Sequence, residues 1–241
     1  MKKKIILGSI AGIVCVIFVA VMIYFFGDSY PDFYKLATKE FNIPGLETSF
    51  VPQGMDYDED AHRFLIGGYM NDGQPSRIYF VDKISGKTEK YLTLTIDGEA
   101  YTGHCGGVAV DGDYGWVVGD KQVYRFSYAD AINTENSQSL EVIDGFTPGN
   151  GADFVLVNGN KLIVGEFYKQ GKYDTPTAHH IKFSNETNYA LSYIYTIDQS
   201  KDYGISSTTP EAGISMPNQV QGMTFTKDKN IVLSTSYSIP A

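Results

Sequence analysis

Four polar residues recur at one place in a repeating pattern. Gln53, His104, Asp153 and Gln221 each lie within or just before a Gly-containing apolar segment. Amide, imidazole and carboxylate groups that converge on one pocket can bind a metal ion or a small polar ligand. His104 is also a candidate general base, because imidazole exchanges protons near neutral pH. The alternative is structural: such groups also satisfy backbone edges and ordered water.

Two further residues are secondary candidates for a ligand site. Glu166 follows an apolar run, where a carboxylate either faces the mouth of a site or marks the exit of a strand to solvent. His179 and His180 are adjacent, and neighbouring residues on a strand point to opposite faces. We therefore expect a solvated histidine pair rather than two ligands of one metal ion.

The sequence names no certain cofactor. The spacing Asp56-x-Asp58-x-Asp60 is similar to the opening of a calcium-binding loop. Ala61 stands where that loop needs glycine, and Gly67 stands where it needs a bidentate acid. We expect an acidic hairpin turn at this place, and a divalent cation such as calcium stays an option for the polar pocket.

Motifs of several enzyme classes are absent from the sequence. It contains no Gly-x-Ser-x-Gly elbow, phosphate-binding loop, HExxH or CxxC. Serine-hydrolase, nucleotide-binding and thiol-redox chemistry therefore gain no support. Whether the chain is an enzyme is left open by its residues.

The elements that would position these side chains form a repeated unit. Each unit opens with a Gly-containing strand, makes a polar turn and continues in a second apolar strand. The predicted pairs are residues 53–57 with 63–69, 106–110 with 115–119, 151–157 with 161–167, and 221–225 with 231–234. Predicted third and fourth strands are residues 76–82 and 88–94, 122–127 and 140–143, and 179–184 and 191–197. Residues 203–216 are expected to form a polar surface loop.

Repeated four-stranded antiparallel units are typical of the blades of a β-propeller. Glycine at the start of each first strand would let these strands converge on the axis. The fold class predicted is thus all-β, with a β-sandwich as the alternative. Only about three and a half blades are present, which predicts a truncated ring, unless residues 29–50 complete it or copies of the chain assemble.

One blade pattern carries a family resemblance. Residues 52–57 (PQGMDY), 67–69 (GGY), 75–79 (PSRIY) and 81–82 (VD) resemble a blade of the gluconolactonase/strictosidine synthase-like and quinoprotein-like bacterial propellers. This resemblance spans roughly residues 49–237 and implies an axial site, with a divalent metal held by acidic and amide side chains. A narrower resemblance is to plant-type glutaminyl cyclases, although Gly67 and Gly68 replace the acidic residue expected there.

An apolar N-terminal segment predicts a membrane anchor. Ile5 to Phe26 is an uncharged run of 22 residues, long enough for a helix of about 33 Å that crosses the bilayer. Lys2 to Lys4 precede it, which places the N-terminus in the cytoplasm and the rest of the chain outside. Alternatives are a cleaved signal peptide and a lipoprotein modified at Cys15, although Val14 stands where a small residue is wanted.

The predicted domains are therefore residues 1–27 (Lys cluster and anchor), 28–48 (linker or closing strand) and 49–241 (propeller-like, incomplete at its C-terminal end). The net charge of −9 and pI of about 4.9 argue against nucleic acid as a partner. Cys15 and Cys105 fall on different sides of the predicted membrane boundary, so no internal disulfide is expected.

These observations give three functional hypotheses. The first is a membrane-anchored extracellular module that binds a small molecule or an envelope protein. The second is a metal-dependent enzyme of lactonase, hydrolase or lyase type with an axial site. The third is a truncated fragment without independent function.

Overall fold

A computed structural model describes residues 35–236 of the chain. The predicted anchor at residues 5–26 lies outside the described residues. Within 35–236 no helix has the length and apolar character needed to cross a membrane. Residues 35–48 contain no strand. From Phe41 onward the described chain forms one compact unit.

Almost all of the regular secondary structure in residues 35–236 is strand, which confirms the all-β prediction. The strands are β1 (Phe50–Asp58), β2 (Arg63–Met70), β3 (Arg77–Asp82), β4 (Thr88–Ile96), β5 (Glu99–Ala100), β6 (Gly107–Asp111), β7 (Tyr114–Gly119), β8 (Gln122–Ser127), β9 (Ser139–Phe146), β10 (Phe154–Asn158), β11 (Lys161–Gly165), β12 (Ile181–Phe183), β13 (Glu186–Asn188), β14 (Ala190–Thr196), β15 (Ala212–Met216), β16 (Val220–Phe225) and β17 (Ile231–Thr235). One short helix, α1 (Tyr128–Asn133), follows β8.

The strands assemble into repeated antiparallel units. Unit 1 is β1-β2-β3-β4, unit 2 is β6-β7-β8-β9, unit 3 is β10-β11-β14-β15, and the described part of unit 4 is β16-β17. The predicted four-stranded repeat is confirmed in units 1 to 3. The first strands β1, β6, β10 and β16 pack side by side, so the units meet along their first strands.

Equivalent bulges support the repeat. The ladder of β1 with β2 shifts register between Pro52 and Gly54, and the ladder of β16 with β17 shifts between Val220 and Gly222. Gln53 and Gln221 therefore occupy the same bulged place in units 1 and 4. A β-bulge re-aims the side chains next to it, so the shared Gln-Gly pair has a shared structural setting.

The strand order within unit 3 differs from the prediction. We expected residues 179–184 as its third strand, but Ile181–Phe183 pairs only with β13 in a separate hairpin. The third strand is β14, which pairs with β11, and the fourth is β15, which lies in the expected polar loop. Residues 166–189 are thus an insertion between the second and third strands of the unit. Alternation alone does not reveal which distant strand a segment pairs with.

Units 1 and 2 are joined through their outer strands. Thr93, Leu94 and Thr95 of β4 pair in parallel with Ser139, Leu140 and Glu141 of β9, which merges the two units into one continuous sheet. The Nζ of Lys90 in β4 also donates to the carbonyl oxygens of Ala131, Ile132 and Thr134 at 2.7, 2.7 and 2.6 Å, which ties the end of α1 to the same strand.

Glycine permits the close approach of the first strands. A Cβ on Gly54 would lie 2.7 Å from the Cα of Gly107, and one on Gly106 would lie 2.3 Å from the carbonyl oxygen of Asp153. A Cβ on Gly222 would meet no atom within 4 Å. The predicted reason for glycine at these starts therefore holds for Gly54 and Gly106 and not for Gly222.

Cys105 is a free thiol buried in the core between units 1 and 2. Its burial raises the pKa of the thiol to about 12. A thiol held protonated in apolar surroundings is unreactive, so this cysteine belongs to the packing.

Candidate functional site

A first cavity lies where the four first strands converge. It has a volume of about 320 Å³ and is lined mainly by backbone and apolar side chains, among them Met55, Phe154, Leu156 and Met223. Gln221 is the one residue of the predicted axial set that lines it. The axis therefore offers space but few polar groups for a ligand.

The two glutamines of the predicted site bond to nearby backbone. Gln53 Nε2 donates to the carbonyl oxygen of Pro52 at 3.1 Å, and Gln221 Nε2 donates to that of Ser236 at 3.2 Å. The acceptor of Gln53 precedes it in the bulged strand β1, and the acceptor of Gln221 follows β17, the partner strand of β16. This arrangement matches the structural alternative for these residues.

His104 and Asp153 lie away from the axial cavity. His104 is exposed and stacks on Tyr69, with 4.6 Å between ring centroids. Asp153 precedes β10, and its Oδ2 accepts the N–H of Phe167 at 2.8 Å. The four axial candidates are therefore not brought together in one pocket.

A second cavity, of about 470 Å³, lies at the end of unit 3 and is called the unit-3 pocket below. Its walls come from the β7–β8 turn, the β9–β10 loop and the insertion that follows β11. The lining residues are Lys121, Thr147, Pro148, Gly149, Asn150, Gly151, Asp153, Glu166, Phe167, Lys172, Tyr173, Asp174, Thr175, Pro176 and His179. Asp153, Glu166 and His179 of the sequence-based candidates meet here.

A buried carboxylate–imidazole pair forms the floor of the unit-3 pocket. Glu166 is 2% exposed and His179 is 7% exposed. His179 Nδ1 lies 2.9 Å from Oε1 and 3.0 Å from Oε2 of Glu166. The carboxylate also accepts the N–H of Leu191 at 2.8 Å and that of Gly151 at 3.2 Å.

These four contacts fix the side chain of Glu166 and the orientation of the His179 ring. With Nδ1 facing the carboxylate, Nε2 is the ring atom left for a ligand or a proton transfer. Our expectation of a solvated histidine pair is wrong for His179, which the 3-10 turn Thr177–His179 carries into the interior. Glu166 likewise does not exit to solvent.

Asn150 contributes a buried acceptor to the same pocket. The residue is 6% exposed, and its Nδ2 donates to the carbonyl oxygens of Val164 and Leu191 at 2.9 Å each. Oδ1 is buried without a hydrogen-bond partner in the described chain. The two bonds of Nδ2 fix the orientation of the amide, because the flipped amide would set oxygen against two carbonyl oxygens.

Asp153 places a second carboxyl group beside the Glu166–His179 pair. The residue is exposed, but the surrounding protein strips water from its carboxyl group, and this loss of hydration raises the pKa of Asp153. The N–H of Phe167 and the nearby charges of His104 and Lys121 oppose that rise, whereas the charge of Glu166 adds to it. The carboxylate is thus ready to gain from a positive partner.

Lys121 reaches the unit-3 pocket from unit 2. It follows Asp120 in the two-residue turn between β7 and β8, and both residues have positive φ, at 54° and 64°. Positive φ at both central positions is the geometry of a type I′ hairpin turn, in which Asn-Gly is the preferred pair. Lysine is an uncommon residue at a position with positive φ.

The family resemblance implies a divalent metal held by acidic and amide side chains. Among residues 35–236 no three His, Cys, Asp or Glu side chains are grouped so that they could hold a metal ion. In the acidic turn, Asp58 Oδ1 instead accepts the N–H groups of Asp60 and Ala61, at 3.0 Å each. The carboxylate of Asp58 therefore closes the backbone of the turn, as expected of an acidic hairpin.

Sequence reasoning identified Glu166, His179 and Asp153 singly and missed Asn150 and Lys121. The signal for Asn150 was the turn-forming run 147–151 (TPGNG) just before a first strand. The signal for Lys121 was a two-residue connection without glycine between two apolar strands. Neither signal shows that the two loops meet.

Comparison with known proteins gives no family assignment. No protein-family model matches the chain, and no curated protein matches it in sequence. Among solved structures, Chaetomium thermophilum Sqt1 bound to the N-terminus of ribosomal protein L10 is similar with a TM-score of 0.45 and 10% identity, over 77% of this chain and 43% of that one. Kuenenia stuttgartiensis hydrazine synthase is similar with a TM-score of 0.40 and 12% identity, over 83% of this chain and 58% of that one.

The chain thus spans about two fifths and three fifths of the length of these two structures. Likenesses of this extent carry no argument about fold or function.

Proposed function

We propose that the chain is a binding module of the β-propeller type whose ligand enters the unit-3 pocket. Units of four antiparallel strands that meet along their first strands support the propeller assignment. The binding role is supported by a concave site with a few fixed polar groups and aromatic walls.

The Glu166–His179 pair is the observation that carries this proposal. Removing a carboxylate from water is costly unless hydrogen bonds and an opposite charge compensate for it. An apolar pair of similar size would fill the same space at lower cost. The Glu166–His179 pair is nevertheless present at a cavity, and Nε2 of His179 does not face the carboxylate. We therefore infer that the pair interacts with a ligand.

A blocking experiment tests the location of the site. Pro176 lines the unit-3 pocket and is exposed, so Pro176→Trp should fill the pocket without disturbing the core. Pro217→Trp is the matched control at an exposed proline outside it, and Gly222→Leu fills the axial cavity. A library of small molecules and short peptides would be screened against each variant by saturation-transfer NMR.

Ligands of the 241-residue chain should be lost with Pro176→Trp and retained with the other two variants. Ligands that are lost only with Gly222→Leu would assign binding to the axis and refute the proposal. Equal binding by all four proteins would refute it as well.

A second candidate function is acid–base catalysis, favoured by the fixed orientation of the His179 ring. A histidine held at Nδ1 by a carboxylate can accept a proton at Nε2 from water or a hydroxyl group. Hydrolysis of a panel of lactones and esters would be compared between the chain and His179→Gln. Turnover that survives this substitution would exclude His179 as the general base.

We further propose that the module is displayed outside the cell through the apolar segment 5–26. Its length and the preceding lysines support this location. The test is protease accessibility in intact cells, where the domain should be degraded while an N-terminal tag is protected. Recovery of the whole chain in the soluble fraction would refute the anchor.

A further inference from the structure

The buried Oδ1 of Asn150 is a hydrogen-bond acceptor for which the unit-3 pocket supplies no donor in the described chain. An inference from this atom rests on the proposed function. Oδ1 accepts no hydrogen bond in the described chain, although the side chain is almost fully buried. A buried acceptor without a donor costs about 1–3 kcal/mol. A ligand that brings an N–H or O–H donor to this atom would recover that free energy.

The charges around this acceptor favour a cation. The pocket is lined by three carboxyl groups, of Asp153, Glu166 and Asp174, and by two ammonium groups, of Lys121 and Lys172. The chain as a whole carries a net charge of −9 and therefore attracts cations to its surface. The buried carboxylate of Glu166 is already engaged by His179 and by the N–H groups of Gly151 and Leu191. The exposed carboxylate of Asp153 is therefore better placed to meet an incoming charge.

The aromatic wall favours a flat cation. Phe167 and Tyr173 meet edge to face, with 5.6 Å between ring centroids. The Nζ of Lys172 lies 5.3 Å from the centroid of Tyr173, which shows that this ring accepts a cation over its face. A planar guanidinium group stacks on such rings and still presents its N–H groups in its own plane.

We propose that the unit-3 pocket receives an arginine side chain of a partner protein, whose guanidinium donates to Asn150 Oδ1 and to the carboxylate of Asp153. Five N–H groups in a rigid fork allow both bonds at once. A lysine ammonium has no such plane, and a hydroxyl group carries no charge for Asp153. The module would then recognise a protein segment with an exposed arginine.

The test uses three blocked tripeptides that differ in one side chain. Acetyl-Gly-Arg-Gly-amide, its lysine form and its citrulline form would be titrated into the 241-residue chain by saturation-transfer NMR. Citrulline keeps the shape of arginine and removes the charge. We expect the arginine peptide to bind about tenfold more tightly than either of the others, as charged hydrogen bonds imply.

Two substitutions locate the effect. Asp153→Asn should weaken the arginine peptide about tenfold, whereas Asp228→Asn, which removes one exposed carboxylate elsewhere, should leave its affinity unchanged. Asn150→Ala should also abolish the preference for the arginine peptide over the lysine and citrulline peptides. This substitution also removes the two hydrogen bonds of Nδ2 to the backbone. Asp153→Asn is therefore the decisive variant.

Equal binding of the citrulline or lysine peptide would refute the arginine assignment, and so would equal effects of Asp153→Asn and Asp228→Asn. If no peptide binds while other ligands still depend on Pro176, the arginine inference is wrong and the proposed function stands. If no ligand of any kind depends on Pro176, both are wrong.

Discussion

The axis of the molecule and the unit-3 pocket differ in how their polar side chains are hydrogen-bonded. At the axis, glycines bring backbones within contact distance, and the polar side chains there bond to adjacent backbone. In the unit-3 pocket, a carboxylate, an imidazole and an amide are buried beside open space. Polar groups at the axis are satisfied by the fold, whereas those of the unit-3 pocket are satisfied only in part.

This difference separates the residues of the repeat from the residues that could bind a ligand. A repeat pattern locates the residues that make units alike, and these residues are structural in the first place. Asn150, Glu166 and His179 lie in loops that differ between units. Loops held by a rigid scaffold are where binding residues concentrate.

The largest expected effect is that of Glu166→Ala. It leaves His179 and the N–H groups of Gly151 and Leu191 without their acceptor in the interior. Loss of one partner of a buried pair costs about 3 kcal/mol or more. Urea unfolding would measure the free energy, with Glu211→Ala as the control.

Glu211 bonds to Lys161 Nζ at 2.5 Å on an exposed surface, where water screens the pair, so its removal should lower the free energy of unfolding far less than Glu166→Ala does. Equal costs for the two glutamates would mean that the Glu166–His179 pair does not stabilise the fold.

Gly106→Ala should have the next largest effect. The added methyl group would lie 2.3 Å from the carbonyl oxygen of Asp153. To relieve this clash the backbone itself would have to move. We expect a loss of about 1–3 kcal/mol in the free energy of unfolding. Gly222→Ala adds the same group to open space and should be neutral to within about 0.5 kcal/mol. A neutral Gly106→Ala would contradict the close packing of the first strands.

Asp153→Asn should change how stability depends on pH. Because loss of hydration raises the pKa of Asp153 in the folded chain, the native state holds its proton more tightly than the unfolded state. Stability contributed by this group is therefore lost as pH rises from about 4, the usual value for aspartate, through the raised value. Asparagine cannot ionise and removes this loss.

Asp153→Asn should thus be more stable than the unchanged chain at pH 7, by about 0.5 kcal/mol or less, because the side chain is exposed and its charge is screened. The gain should vanish near pH 3.5 in urea unfolding. A gain that grows as pH falls would reverse the sign and refute the assignment.

The smallest effects are expected for Gln53→Ala and Gln221→Ala. Each amide bonds to exposed or half-exposed backbone, so each loss should be below about 1 kcal/mol. Binding of the arginine tripeptide should be unchanged, because neither residue lines the unit-3 pocket. Loss of that binding in either variant would indicate that the ligand binds at the axis and not in the unit-3 pocket.

Much of the strand pattern could be predicted because it is local. Strands β7 and β11 follow from apolar runs between polar turns, and the polar residues 158–160 mark the turn between β10 and β11. The error in unit 3 has a physical cause. Residues 179–184 alternate like a strand, but β11 pairs with β14 across a 24-residue insertion, and local alternation carries no information about distant pairing.

The candidate site was harder to predict because its parts come from separate loops. Glu166 and His179 are 13 positions apart, and only the path of the insertion brings their side chains together. The open acceptor of Asn150 depends on two carbonyl groups that hold its amide nitrogen. Such contacts are set by tertiary structure and leave no spacing rule in the sequence.

The parallel ladder between β4 and β9 makes the boundaries between units mechanically unequal. Sliding unit 1 against unit 2 would break backbone hydrogen bonds, whereas no ladder crosses from unit 2 to unit 3 in the described chain. That second boundary is held by side chains, such as the Nε1–H of Trp116 bonded to the carbonyl oxygen of Tyr203 at 2.9 Å. Unit 3 is therefore joined to unit 2 by packing and by side-chain hydrogen bonds, without a strand ladder. Because Lys121 belongs to unit 2, the unit-3 pocket lies across this boundary.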